Sequence, residues 1–129
     1  MKKTTNIILK VVLVILIFMP ILGTFGLFPA PTADLYNTQE AYNFIVALMG
    51  AQYVMGMMSL VFAICIVLIF KNKMALVALL LLPITLNIIG FHAFLDGGLL
   101  KSGAIMGNIL FLINVYFLYK NREVYKSLV

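Results

Sequence analysis

Four stretches of the chain are apolar with almost no interruption, and short polar segments separate them. The first runs from Ile7 to Phe28, broken only by Lys10. The second runs from about Phe44 to Phe70 without a charge, the third from Met74 to Leu95, and the fourth from about Leu100 to Tyr119. None alternates with period two, and none shows a polar stripe wide enough for a surface helix. A hydrocarbon layer about 30 Å thick is crossed by roughly 20 apolar residues in helical form. Each run meets that length, and the second exceeds it, so it is expected to tilt or project. Backbone groups in lipid have only one another to bond to, so each run is expected to be helical. The expected fold is an all-α integral membrane four-helix bundle in a single domain.

The segments between the runs set the connections. Phe28-Pro29-Ala30-Pro31 is stiffened by two prolines. Asn37 with Glu40 reads as a capping box that starts the second helix just after Asn37. The turns Lys71-Asn72-Lys73 and Gly97-Gly98 are so short that the helices they join must be antiparallel neighbours. Ala47 with Ala51, Ser59 with Ala63, and Gly103 with Gly107 are small pairs that let helices approach closely.

Charge then orients the bundle. Of nine Lys and Arg residues, all but Lys101 fall before or just inside the start of the first run, between the second and third, or after the fourth. Four spans place these together on one side, facing Asp34, Glu40 and Asp96 on the other. Bases concentrate on the cytoplasmic side of membrane proteins, so both termini are expected there, N-in and C-in. The N-terminal apolar stretch is too long for a signal-peptide core and reads as an uncleaved first helix.

Composition agrees with this pattern and narrows the function. The chain of 129 residues is 64% hydrophobic and 10% charged, with a mean hydropathy of +1.15. Soluble domains carry about 25% charged residues. The net charge of +5 lies at the ends and in one turn, so no nucleic-acid partner is expected. The lone cysteine, Cys65, excludes an internal disulfide and a thiol relay, and reads as a small buried apolar residue. No His, Cys, Asp and Glu set has metal-ligand spacing, and no nucleophile triad or phosphate loop is visible.

The few polar residues inside the runs carry any remaining chemistry. Gln52, Asn87 and Asn108 each fall roughly 12 Å below one end of their run at 1.5 Å per residue. They are expected to face inward as a polar layer, serving either as interhelical hydrogen bonds or as a ligand contact. Asn114 is also in the fourth run. In the third run, Thr85, Ile89, His92 and Asp96 share one stripe, with Asn87, Phe91 and Phe94 roughly opposite. Asp96, four residues after His92, can orient the imidazole. Such a pair can move a proton or simply tie a helix end. Pro83 removes one helical hydrogen bond at Leu79 and is expected to bend the helix. Met55, Met57 and Met58 offer an adaptable surface for a flat apolar ligand such as a quinone, or pack the core.

Leu80-Leu81-Leu82-Pro83-Ile84-Thr85-Leu86-Asn87-Ile88-Ile89-Gly90-Phe91-His92-Ala93-Phe94-Leu95-Asp96 resembles the Pro…Asn…Phe-His-x-Phe-Leu-Asp signature of the DoxX-like small membrane proteins. The tail from Asn114 to Leu128 and the Phe28-Pro29-Ala30-Pro31 loop are similar to that family's corresponding segments. The resemblance covers most of the chain. It implies a bacterial four-helix inner-membrane protein, whose named relatives take part in quinone-coupled sulfur oxidation and in membrane complexes that resist oxidative stress. It therefore implies a subunit or scaffold of a membrane redox complex, with redox proteins as partners and a quinone as a ligand. The chain departs from the family where a Lys and a Glu often stand in the second span, since Gly56–Phe62 carries no charge here. It also lacks the usual polar residue near Gly23. Only Asn87, His92 and Asp96 carry over as candidate site residues. A reading of another class is a small transporter or permeability module that uses the Gln52–Asn87–Asn108 layer.

Overall fold

The computed structural model describes residues 1–129, and its regular structure is entirely helical, without strands. Helix α1 spans Lys2–Thr24, α2 Gln39–Gly50, α3 Gln52–Phe70, α4 Met74–Phe94, α5 Ile105–Lys120 and α6 Arg122–Tyr125. Short 3-10 turns lie at Ala33–Leu35, Ser102–Ala104 and Lys126–Leu128. Four helices are long and apolar enough to cross a membrane: α1, α3, α4, and α5 with the turn before it. Helix α1 packs on α3, α3 on α4, α4 on α5, and α5 back on α1, so the four close into a bundle.

The second apolar run is not one helix. It divides at Ala51, whose φ of −82° and ψ of 69° lie outside the helical region. Gly50, a poor helix former, precedes the break. The 12 residues of α2 reach only about 18 Å, too short to span, whereas the 19 of α3 suffice. The surplus length is thus taken up by a break rather than by tilt alone. The other boundaries move less. Helix α1 begins five residues before Ile7 and ends at Thr24 rather than Phe28. Helix α4 continues unbroken through Pro83.

The turns obey local chemistry. After α3, the N–H of Lys73 bonds the carbonyl of Leu68, and that of Asn72 bonds Ile69. This double closure requires a left-handed residue at Asn72, which has φ of 57°. Asparagine adopts that conformation more readily than other side-chain-bearing residues. Gly26, at φ of 74°, ends α1 in the same manner, with Leu27 bonded to Leu22 and Gly26 to Gly23.

One buried apolar cluster holds the four long helices. It comprises Leu13 and Ile17 of α1, Phe62, Cys65 and Ile69 of α3, Met74, Val77, Ala78 and Leu81 of α4, and Leu110, Ile113 and Phe117 of α5. On α3 and α4 these positions lie in the half nearer the lysine-rich end of the bundle, and on α1 and α5 they extend across the middle of the helix. The expected burial of Cys65 is met. Of the small pairs, Gly103–Gly107 is used directly. A Cβ on Gly107 would lie 2.6 Å from Ile88 Cγ2, and one on Gly103 would lie 3.7 Å from Asp96 Oδ2. Glycine at position 107 is therefore what allows α5 to seat against α4. Ser59 is also buried, where its hydroxyl lies 2.7 Å from that of Thr24 and ties α3 to α1.

Candidate functional site

The aspartate end of the bundle gathers most of the polar chemistry. Asp96 follows the last turn of α4 and is buried, its side chain 2% exposed. Its Oδ1 accepts the backbone N–H of Asn37 at 2.8 Å, and its backbone carbonyl accepts the Asn37 Nδ2 amide at 3.1 Å. Its Oδ2 lies 3.2 Å from His92 Nδ1. The adjoining Thr38 hydroxyl accepts the N–H of Ala41, which caps α2, and donates to the carbonyl of Leu95 at the end of α4. The N-cap is thus Thr38, one residue beyond the expected Asn37, and Asn37 is released to bind Asp96. The contacts of Asn37 with Asp96 and of Thr38 with Leu95 join the loop that follows α1 to the end of α4. Gly97, at φ of 82°, keeps the turn close, since a Cβ there would meet Asn37 Cβ at 3.1 Å.

Aromatic rings surround the pair. The Phe91 ring stands edge-on to His92 at 5.0 Å, lies 5.7 Å from Phe44, and meets Tyr36 edge-on at 6.4 Å. Tyr36 also lies 6.1 Å from Tyr42. Burial first, then the negative charge of Asp96 and the neighbouring Tyr42, raises the Tyr36 hydroxyl above its ordinary pKa of 10.0. On the other side, the His92 ring lies against α5 at Gly107. Both Asp96 side-chain oxygens are engaged, so the carboxyl acts as a clamp among loop, α4 and imidazole.

The inward layer of carboxamides does not form. Gln52 stands at the first position of α3, because the break at Ala51 removes it from mid-helix, and its side chain is exposed. Asn87 is exposed as well. It follows the fully buried Thr85 by two residues, which is about 200° around a helix. Asn108 is half-buried and donates to the nearby Leu99 carbonyl at 2.8 Å. The stripe of Thr85, His92 and Asp96 is the inward face, and a stripe that buries Thr85 excludes Asn87. Of the five candidate residues, only His92 and Asp96 meet.

The polar contact at the centre of the bundle belongs to Asn114, for which the sequence suggested no role. Its Oδ1 accepts the Thr85 hydroxyl at 2.9 Å, and its Nδ2 donates to the Ala78 carbonyl at 2.9 Å. All three residues are buried. One signal was present: Ala78 lies one residue before Leu79, whose carbonyl Pro83 leaves without its helical donor. Carbonyls beside such a proline are accessible to a neighbouring helix.

No group of three or more His, Cys, Asp and Glu residues could hold a metal ion. An open apolar slot of about 440 Å³ lies near the aspartate end, with Met19, Met49, Met55 and Met106 from four helices along its wall. Of the three methionines read as either an apolar ligand surface or core packing, Met55 is in this slot. Met57 is exposed, and Met58 packs on the core. Comparison with protein-family models, with curated proteins and with solved structures found no match.

Proposed function

We propose that this chain is a four-span protein of the bacterial inner membrane, with both termini in the cytoplasm, acting as a scaffold subunit of a membrane redox complex. One observation carries the scaffold reading: every buried side-chain nitrogen and oxygen already has a hydrogen-bond partner within the chain. A substrate pathway through the bundle needs polar groups with bonding capacity to spare. Here Asn114, Thr85, Asp96, Ser59 and Thr24 spend theirs on one another or on backbone. What the chain offers is its outside, an apolar belt with bases at one end.

Orientation follows from charge, since the bases apart from Lys101 collect at the end where the termini lie. The redox association rests on the DoxX-like resemblance of Pro83–Asp96. The methionine-walled slot is where an apolar quinone ring would lodge between helices.

Two measurements test this. After Cys65→Ala, Lys73→Cys should resist a membrane-impermeant maleimide in intact spheroplasts while Asp34→Cys reacts; the reverse would sink the topology. The tagged protein, extracted in mild detergent, should bring with it a redox-active membrane protein or a quinone. Recovery as an isolated monomer with neither would end the redox-subunit reading.

A further inference from the structure

We propose that the groove between α1 and the α3–α4 turn holds one anionic diacyl phospholipid of the cytoplasmic leaflet. The proposal rests on the membrane reading above, but on different residues from the redox association.

The groove is open, about 350 Å³, and almost wholly apolar, with Val11 and Ile15 on one wall and Ile69 and Phe70 on the other. Its polar end is made by Lys10 and Asn72, whose side chains meet at 2.7 Å, Lys10 Nζ donating to Asn72 Oδ1. Asn72 is neutral, so this bond orients the ammonium without neutralising it. The chain's ion pairs are His92–Asp96, Arg122–Glu123 and Lys126–Glu123. Lys10, Lys71 and Lys73 thus have no carboxylate. Three of the chain's four acids, Asp34, Glu40 and Asp96, lie at the other end, and Glu123 is already taken.

A lysine about one turn inside the apolar part of a helix is costly without a counter-ion. The remaining Lys10 N–H groups and the Asn72 Nδ2 amide, which makes no bond within the chain, are side-chain donors at the groove mouth. Phosphate oxygens satisfy such a set. The apolar walls below accept what a free anion lacks, an acyl chain. Basic pockets between helices at the cytoplasmic face recognise phospholipid head groups in this way. The turn is built for it: Asn72 closes α3 in the left-handed conformation, and that closure directs its side chain to Lys10.

The test uses the full chain in an uncharged detergent, with phosphatidylglycerol or phosphatidylcholine added as mixed micelles. Native mass spectrometry should retain one phosphatidylglycerol per chain in preference to phosphatidylcholine, and the melting temperature should rise with phosphatidylglycerol only. Lys10→Gln should weaken retention by about five-fold, and Lys71→Gln with Lys73→Gln by a comparable factor. Lys10→Arg should preserve it, and Lys101→Gln at the opposite end should leave it unchanged. If Lys10→Gln fails to fold, the Lys71→Gln, Lys73→Gln pair still decides. Equal retention of the two lipids, undiminished retention in those variants, or the same thermal shift from inorganic phosphate would overturn the proposal. A folded, detergent-dependent protein with no lipid preference sinks this inference alone. A protein that is stable without detergent sinks the membrane reading beneath it.

Discussion

The two halves of the bundle are held by different means. Toward the lysine-rich end, side chains from all four long helices close on one apolar cluster, and one polar node, Asn114 with Thr85 and the Ala78 carbonyl, crosses it. Toward the aspartate end no such cluster exists. There the chain is a break at Ala51, a proline-stiffened loop and an open slot, tied by Asp96, Asn37, Thr38 and the Thr24–Ser59 hydroxyl pair. Close packing gives a single cooperative arrangement, because any lost methylene is felt by many neighbours. A few hydrogen bonds at a water-accessible end define geometry and contribute little to stability. The lysine end is therefore a rigid base, and the aspartate end is a positioned but separable cap.

Truncation in the base gives the largest effect. Phe62→Ala removes a 1% exposed ring from the centre of the cluster and should cost about 3–5 kcal/mol. It should appear as one cooperative drop in melting temperature in detergent. Gly107→Ala comes next, because its new methyl must displace Ile88 Cγ2 from 2.6 Å, at about 1–3 kcal/mol. Gly103→Ala, with ordinary contact at 3.7 Å, should be close to neutral. If Gly103→Ala proves the worse of the two, the helix seating inferred for α4 and α5 is incorrect.

The interior polar node is tested by two asparagines in neighbouring helices. Asn114→Leu removes the Ala78 carbonyl's interhelical donor and leaves the Thr85 hydroxyl only the Leu82 carbonyl of its own helix, and interhelical hydrogen bonds of this kind contribute about 1–2 kcal/mol. Asn87→Leu swaps an exposed, unbonded carboxamide and should leave the melting temperature unchanged or slightly raised. Equal losses would restore Asn87 to the interior.

That pair also marks how far the sequence could be read. Run length and the absence of charge identified the helices that can span, because lipid as solvent leaves few alternatives. That α3 and α4 are neighbours followed from the brevity of Lys71–Lys73, whereas α4 and α5, also neighbours, are joined across the longer segment from Leu95 to Ala104 and not by a Gly97–Gly98 turn alone. The His92–Asp96 pairing followed from helical spacing alone. Depth without azimuth misled the rest. Gln52, Asn87 and Asn108 were placed at one level by counting from helix ends, but facing is fixed by the buried stripe, and 100° per residue turns Asn87 away once Thr85 is inside. The break at Ala51 was hidden because both sides of it are equally apolar. The Asn37–Asp96 contact joins residues 59 apart, a separation no local pattern encodes.

Breaking the clamp should loosen the cap alone. Asp96→Ala removes the acceptor for the Asn37 N–H and the partner of His92, at about 1 kcal/mol because the groups it frees, on the exposed Asn37 and the half-buried His92, can turn to solvent although Asp96 itself is buried. Amide exchange should accelerate in residues 25–42 and in the turn after α4, while the cluster around Phe62 stays protected. Faster exchange throughout the bundle would mean that the two halves unfold as one, and the distinction drawn between them would fail.

The smallest effect separates the ends by alkaline titration. Tyr36 at the cap and Tyr125 at the base, whose hydroxyl donates to the Ala75 carbonyl at 2.8 Å, both titrate above 10.0, each chiefly through burial. A phenol held protonated by the fold contributes stability in full below pH 10.0, and that contribution is lost as pH rises through the elevated value. Both ends therefore loosen in strong alkali, but for Tyr36 the negative charge of Asp96 adds to burial, whereas for Tyr125 burial acts alone. In an absorbance titration of phenolate, Asp96→Asn should shift the Tyr36 component, identified by its loss in Tyr36→Phe, toward lower pH and leave the Tyr125 component in place. Movement of both together would mean that Asp96 acts on stability as a whole and not through the cap it ties.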